Sequence, residues 1–322
     1  MTNRVLTVKK ISFSANYLSS LKNLLDDYQQ REYLQGVPVK QLKLAPKEYS
    51  ESGYLVFLVN KNMRPSILKI IWDNQFYFRY KAEIFIYENL AKQKTIAAYL
   101  PKLLCKKVKP IPFFEIEYLV AYQPLGDKHQ IKIQLTSYLV NKIIDVLSRF
   151  HRLKVERKDF LNQQRTAFFY KEKLTRLATG KRVVRYFGSE IKNKLINFLK
   201  KNESMFSGEN RFILGDRNPS NIFILPQKNS LKLIDFDRIG FANPALDYTY
   251  LYLSSIEQPD ALSLFLSRLK QVYGNNQIFW TRYWYDLLIR CADEMAFWDE
   301  KDQSRLRLLK SIFEQTLLKL NQ

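Results

Sequence analysis

Two hydrophobic periods alternate along this chain, and the switches between them outline its elements. Leu18, Leu21, Leu24, Leu25 and Tyr28 recur at helical steps and predict an amphipathic helix over 15–30. Short apolar runs follow, predicting strands over 37–44, 54–60 and 66–72. A helix is predicted over 75–92, a strand over 114–122, and a long helix over 135–153 with Leu139, Ile143, Val146, Leu147 and Phe150 on its apolar face. A basic stretch with helical character covers 154–203. The apolar pieces 222–225 and 231–234, joined by Pro226-Gln227-Lys228-Asn229-Ser230, read as a hairpin. Beyond Asp247 the pattern is helical to the end, and no internal repeat or low-complexity segment interrupts the series.

The densest chemistry lies around that hairpin, in FILGDRNPSNIFILPQKNSLKLIDFDRIGFANPALD, residues 212–247. Phosphoryl transfer asks a protein mainly to position groups, stabilise charge and hold Mg²⁺. Asp216, in a loop between apolar runs, supplies a carboxylate able to accept a proton from an incoming hydroxyl. Asn221 and Asp235 supply a neutral and a charged oxygen for a hard cation, and the hairpin would carry both to one edge. Gly215-Asp216 and Asn218-Pro219-Ser220-Asn221 are also ordinary turn chemistry, and either alone would read as a surface turn. The combination of Asp216, Asn221, Asp235 and the intervening hairpin is what points to a nucleotide-phosphate site.

These residues resemble the catalytic and metal-binding loops of the aminoglycoside phosphotransferase and choline kinase families. The family pattern is roughly His-Gly-Asp, five residues on to Asn, then Ile-Asp-aromatic-acidic, closing on a Pro-x-x-Asp that starts a helix, here Pro244-Ala245-Leu246-Asp247. The resemblance implies an α/β (α+β) two-lobed protein-kinase-like fold. Its parts would be a small N-terminal β-sheet lobe (1–122), a hinge (123–128) and a larger, mostly helical C-terminal lobe (129–322). It implies ATP and Mg²⁺ as cofactors, Asp216 as the catalytic base, and Asn221 and Asp235 as Mg²⁺ ligands. Asp237 becomes a candidate aid to metal or substrate, and Asp247 a brace for the catalytic loop. The chain departs from the pattern at Leu214, where the family usually has His, and at Arg217-Asn218, where Leu-His is common. Leu214 bears on loop packing more than on chemistry. Asn218 holds a position near the transferring phosphate, and its amide can still donate a hydrogen bond.

The resemblance extends more loosely upstream. Lys69 stands inside the apolar run Ile67-Leu68-Lys69-Ile70-Ile71-Trp72, and a buried ammonium needs an anionic partner. It looks like the family's phosphate-binding strand Lys; as an edge-strand residue it would instead keep its charge in water. Glu83 opens Glu-Ile-Phe-Ile-Tyr-Glu-Asn-Leu, similar to the family's Glu-x-x-x-Tyr/Leu-x-x-Leu helix, and is favoured over Glu88 as the partner of Lys69. Gly-x-Gly is absent, so Ser52 and Gly53 are the candidates for a phosphate-covering turn with backbone N–H groups. An ordinary hairpin turn has the same look. Main-chain groups from Ala121 to Gln123 match the place of the hinge that would hold an adenine ring. His151, near the end of the helix over 135–153, is read as structural. Farther on, Phe279, Trp280, Tyr283, Trp284 and Tyr285 read as core at helical spacing. A pocket for a cationic substrate, lined by Trp298 and the acidic groups beside it, is the other reading of that region.

Composition narrows the class. The chain has 322 residues, 46% of them hydrophobic, enough for a sizeable core and two lobes. No apolar run reaches membrane-spanning length, and no signal-peptide pattern is expected at the start. Cys105 and Cys291 are the only cysteines and His129 and His151 the only histidines. That excludes a disulfide framework and speaks against a Cys/His zinc site, so a reducing, cytoplasmic setting is expected. The net charge of +21 suits nucleic acid, an anionic membrane surface or anionic small molecules, and equally a Lys-rich compositional habit with a solvated surface. No nucleic-acid-binding motif is present, and a polycationic aminoglycoside is better served by an acidic cleft. The expected activity is ATP:alcohol phosphotransfer to a small-molecule alcohol or amino-alcohol. A nucleotide-binding pseudokinase without turnover stays open, as does a kinase of a protein or of a lipid-linked or polymeric glycan.

Overall fold

The first part of the chain is built on a five-stranded antiparallel sheet of β1 (Gln29–Tyr33), β2 (Tyr54–Lys61), β3 (Arg64–Ile71), β4 (Leu103–Lys107) and β5 (Phe113–Glu117), ordered β1-β2-β3-β5-β4. The structure is a computed structural model that describes residues 19–20, 23–24, 29–33, 54–61, 64–71, 77–127, 129–156, 158, 161, 181–201, 211–215, 217–298 and 301–320. It divides into two compact units, Met1–Val120 and Ala121–Gln322. β2 and β3 pair over their full length, Tyr54 opposite Ile71 and Lys61 opposite Arg64. Leu55, Phe57 and Val59 are buried on one face of β2, Val56 and Leu58 on the other; strands buried on both sides belong inside a sheet. Helix α1 (Tyr77–Glu88) packs on this sheet, with the rings of Tyr80 and Tyr87 each 6.0 Å from that of Phe114 on β5. A 3-10 turn (Leu90–Lys92) and the short α2 (Lys94–Ala97) follow.

Some boundaries differ from those the residue pattern predicts. The helix expected over 15–30 stops short of Gln29 and Gln30, which lie in β1. The QQREY sequence of β1 has no apolar alternation; its strand form comes from pairing with β2, Gln29 opposite Asn60, through a bulge between Gln30 and Glu32. The strand expected over 114–122 ends at Glu117, because the Val120 N–H turns back to the Tyr118 carbonyl at 3.0 Å. β4, absent from the predicted elements, is an edge strand whose Cys105, Lys106 and Lys107 are exposed. The strand expected over 37–44 lies outside the described residues.

The second unit opens with β6 (Gln123–Pro124) and α3 (Ser137–His151). Thr136 caps α3, its side-chain oxygen accepting the Leu139 N–H at 3.2 Å. The helix buries Val140, Ile143, Ile144, Val146, Leu147 and Phe150, a face recurring at three and four residues. Helix α4 (Lys181–Lys201) breaks direction at Gly188, where φ is +79°. Four short strands follow: β7 (Arg211–Ile213), β8 (Ile222–Leu225), β9 (Ser230–Leu233) and β10 (Gly240–Ala242). The chain then runs through α5 (Ala245–Ser254), α6 (Pro259–Tyr273), α7 (Gln277–Trp298) and α8 (Gln303–Leu320). α7 packs on α5 and α8, and α3 on α6. Phe279, Tyr283 and Tyr285 are buried core, with Trp280 and Trp284 half-buried beside them. Among the described residues, no helix is long and apolar enough to cross a membrane.

Candidate active site

The strand pairings of the second unit dictate which loops meet. β7 pairs with β10, Phe212 opposite Phe241, while β8 pairs with β9, Ile222 opposite Leu233. One antiparallel pair is nested inside the other along the chain, so the loops 214–221 and 234–239 run side by side. β6 adds to β8, with Gln123 opposite Ile224. Several contacts tie the two loops together. The Ile234 N–H donates to the Asn221 carbonyl at 3.1 Å. Arg217 Nη1 donates to the Ile234 carbonyl at 2.9 Å, and Nη2 donates to the Asp235 carbonyl. Gly215 passes so near Arg238 that a Cβ there would lie 2.1 Å from the Arg238 carbonyl oxygen, and its φ of +82° also demands glycine.

This nesting brings the backbones of Asn221 and Asp235 together at one end of the hairpin. Asn221 is buried at the close of a 3-10 turn, Pro219–Asn221. Asn218 caps that turn, its Oδ1 accepting from the Ser220 N–H at 3.0 Å and the Ser220 hydroxyl at 2.5 Å. The Asn at 218 therefore has a local reason, since it spends its carbonyl oxygen shaping the loop. Asp235 is half-buried and sits at φ +60°, a left-handed conformation. Asp237 is buried. Asp216, Ser52 and Gly53 lie outside the described residues, although Gly215 and Arg217 on either side of Asp216 are fixed as above. Ala121 is in an exposed turn, and Gln123 stands in the β6–β8 ladder with its main chain facing β8.

Asp247, in the first turn of α5, is fully buried and holds the start of the 214–221 loop. Its Oδ2 accepts the Leu214 N–H at 2.8 Å and its Oδ1 the Gly215 N–H at 2.6 Å. His151, at the end of α3, meets Asp247 Oδ2 through Nε2 at 2.9 Å. A carboxylate can only accept, so Nε2 donates, and Nδ1 faces the Tyr273 hydroxyl at 3.0 Å. Burial alone would push the Asp247 carboxyl up; the His151 hydrogen bond, the Leu214 N–H and the Arg217 charge outweigh it and hold the group below its ordinary 3.8. Burial also pushes the Tyr273 hydroxyl up to about 12, keeping it a neutral member of this network. Leu214 is wholly buried, so its departure from the family pattern is absorbed as packing.

In the first unit, Tyr80, Glu83 and Tyr87 share one face of α1 by their spacing. The two tyrosines flank Phe114, which stands opposite Lys69 in the β3–β5 ladder. Glu83 is thereby aimed at Lys69, and the two pair at 2.7 Å, the Lys 8% and the Glu 0% exposed. Lys69 lies on an interior strand, and its charge is not left in water. Glu88 pairs instead with Lys106 near the surface at 2.6 Å. In the second unit, the Trp298 ring already faces a cation of its own chain, the Arg305 guanidinium at 4.7 Å. Glu294 there receives the Trp298 indole N–H at 3.1 Å and contacts His129 Nδ1 at 3.0 Å.

Arg217 is the residue that pattern reading overlooks. It is completely buried, its guanidinium 5.1 Å from the Phe236 ring centroid. Nothing in hydrophobic periodicity marks a loop Arg as interior. The available signal is the cation standing where the family commonly has Leu.

The model of the Phosphotransferase enzyme family matches residues 55–285, a span that includes Lys69, Glu83 and all of 212–247. Among solved structures, the chain is similar to the choline kinase of Streptococcus pneumoniae, with 16% identity, 94% of this chain and 98% of the other covered, and a TM-score of 0.51. It is similar to an ethanolamine kinase of Plasmodium vivax, with 9% identity, 96% and 90% covered, and a TM-score of 0.54. It also resembles a spectinomycin phosphotransferase solved with ADP and spectinomycin, with 12% identity, 92% and 93% covered, and a TM-score of 0.54. No curated protein sequence matches the chain. At these identities the structural likeness is one of fold: an α/β kinase-like architecture, with the antiparallel sheet N-terminal and the helices C-terminal.

Proposed function

The chain belongs to the phosphotransferase enzyme family, and from that footing we propose that it transfers the γ-phosphoryl group of ATP, with Mg²⁺, to a hydroxyl of a small-molecule alcohol or amino-alcohol. The observation that carries this reading is the bond between the Ile234 N–H and the Asn221 carbonyl, which sets the backbone of Asn221 beside that of Asp235; Asp216 belongs to the first of these two loops by sequence. One amide oxygen and one carboxylate form a hard donor set of the kind Mg²⁺ accepts when phosphates and water complete its shell. Asn221 and Asp235 would hold the ion, which supplies neutralisation of charge on the phosphate oxygens. Asp216 accepts the proton of the acceptor hydroxyl as that oxygen attacks the γ-phosphorus. The new O–P bond forms while the bond to the bridging oxygen breaks, and ADP leaves with the electron pair.

Lys69, held by Glu83, binds nucleotide phosphates, and Ser52 and Gly53 offer backbone N–H groups to them. The main chain between Ala121 and Gln123 serves the adenine ring, with Gln123 also paired to β8. Domain roles follow: nucleotide binding in 1–122, a hinge at 123–128, and catalysis with acceptor binding in 129–322. Choline, ethanolamine and antibiotic kinases among the similar structures support a small acceptor. The net charge of +21 favours neutral, zwitterionic or anionic alcohols over polycations. Neither Cys105 nor Cys291 is in a disulfide, which suits a cytoplasmic setting.

Calorimetric titration with ATP, with and without Mg²⁺, tests the metal assignment. Wild type is expected to bind Mg·ATP more tightly than ATP alone, and Asp235→Ala and Asn221→Ala to lose that difference. Full Mg²⁺-dependent affinity in both variants would overturn it.

A further inference from the structure

We propose that Arg217 is a positioning residue that fixes both backbone dihedrals of Asp235 and thereby aims its carboxylate at the metal; this rests on the reading of Asp235 as a metal ligand. The direction of the Ile234 carbonyl, as seen from the Asp235 Cα, is set by the φ of Asp235, and that of the Asp235 carbonyl by its ψ. Along an extended strand, consecutive carbonyls point to opposite sides. Here both accept from one guanidinium, Ile234 O from Nη1 at 2.9 Å and Asp235 O from Nη2. Two successive carbonyls converge on one group only if the residue between them leaves the extended region, and Asp235 does so at φ +60°. Residues other than glycine adopt that conformation at an energetic cost, so something must hold it.

The guanidinium is suited to the task because its donors form a rigid planar fork. It is completely buried and lies against the Phe236 ring at 5.1 Å, so the fork cannot swing away from the loop. A buried charge met by carbonyls carries a desolvation cost. Leu, common at this position in the family, would avoid that cost and make neither bond. The clamp also joins the loop that holds Asp216 to the loop that holds Asp235, since Arg217 follows Asp216 directly.

Mn²⁺, standing in for Mg²⁺, provides a readout independent of turnover. The free-ion electron paramagnetic resonance signal would be titrated with wild type, Arg217→Leu, Arg217→Lys and Asp235→Asn, each saturated with a non-hydrolysable ATP analogue, beside thermal unfolding of the metal-free proteins. The expected result is folded Arg217 variants whose Mn²⁺ affinity falls about tenfold or more, as when a group orienting a metal ligand is removed. Their metal-free affinity for the analogue should stay that of wild type. Wild-type Mn²⁺ affinity in a folded Arg217 variant overturns the proposal. If Arg217→Leu does not fold, Arg217→Lys, which keeps charge and stem but not the fork, decides alone. If wild type binds no Mn²⁺ with the nucleotide, or Asp235→Asn binds it equally well, the metal reading fails and the Arg217 inference falls with it.

Discussion

A single methyl group probes how closely the two loops of the site are held. Gly215 has φ +82°, and a Cβ would meet the Arg238 carbonyl at 2.1 Å, a backbone atom that cannot swing aside. Gly215→Ala is therefore expected to lower stability by about 2 kcal/mol or more, from backbone strain and overpacking together, and to depress turnover because Asp216 is the next residue. Urea denaturation with an activity assay checks this; an alanine variant as stable and active as wild type would show the loops to be loosely joined. The same scale separates what residue identities reveal from what they hide. Lys69 is legible because a Lys inside an apolar run must find an anion, and Glu83 because it opens a segment similar to the family's Glu-x-x-x-Tyr/Leu-x-x-Leu helix; the pair forms at 2.7 Å. Arg217 is not legible, because a cation in a polar turn reads as solvated and its partners are main-chain carbonyls with no residue code. Asn218 gives a middle case: its type is right for a cap, but only the fold shows which N–H it caps.

At the scale of elements, Asp247 links α5 to the loop start through the Leu214 and Gly215 N–H groups, and α3 to both through His151. Its carboxyl is held below its ordinary 3.8, so the folded chain takes up that proton less readily than the unfolded chain. The sign follows: the stabilisation is full above the unfolded value and is lost as pH falls through the lowered folded one. Urea midpoints are expected to drop below about pH 4 in wild type. Asp247→Asn should be less stable at neutral pH and show a shallower acid decline. Equal midpoints for the two proteins across that range would mean that the brace contributes nothing. Elements with their own apolar pattern are readable from residues: β2, β3, α3 and the β8–β9 hairpin lie within a few residues of their predicted spans. β1 and β4 are polar or Lys-bearing edges, and β7 with β10 is short; each owes its form to a partner strand distant in sequence.

For the whole molecule, a charge of +21 repels polycations at long range, which argues against a polycationic acceptor rather than against a neutral, zwitterionic or anionic one. The kinase-like architecture is legible because predicted strands dominate the first part of the chain, predicted helices the second, and the motif-dense stretch 212–247 lies within that second part. The acceptor is not, because specificity lies in side chains whose meeting is set by tertiary packing. The most direct test is ADP release from Mg·ATP across neutral alcohols, amino-alcohols, and zwitterionic, anionic and polycationic alcohols, comparing wild type with Asp216→Ala. Turnover is expected to depend on an acceptor, to be weakest with polycations, and to fall about 100-fold or more in Asp216→Ala. Undiminished turnover in that variant, or Mg·ATP bound by wild type with no acceptor raising ADP release, would contradict the proposed function.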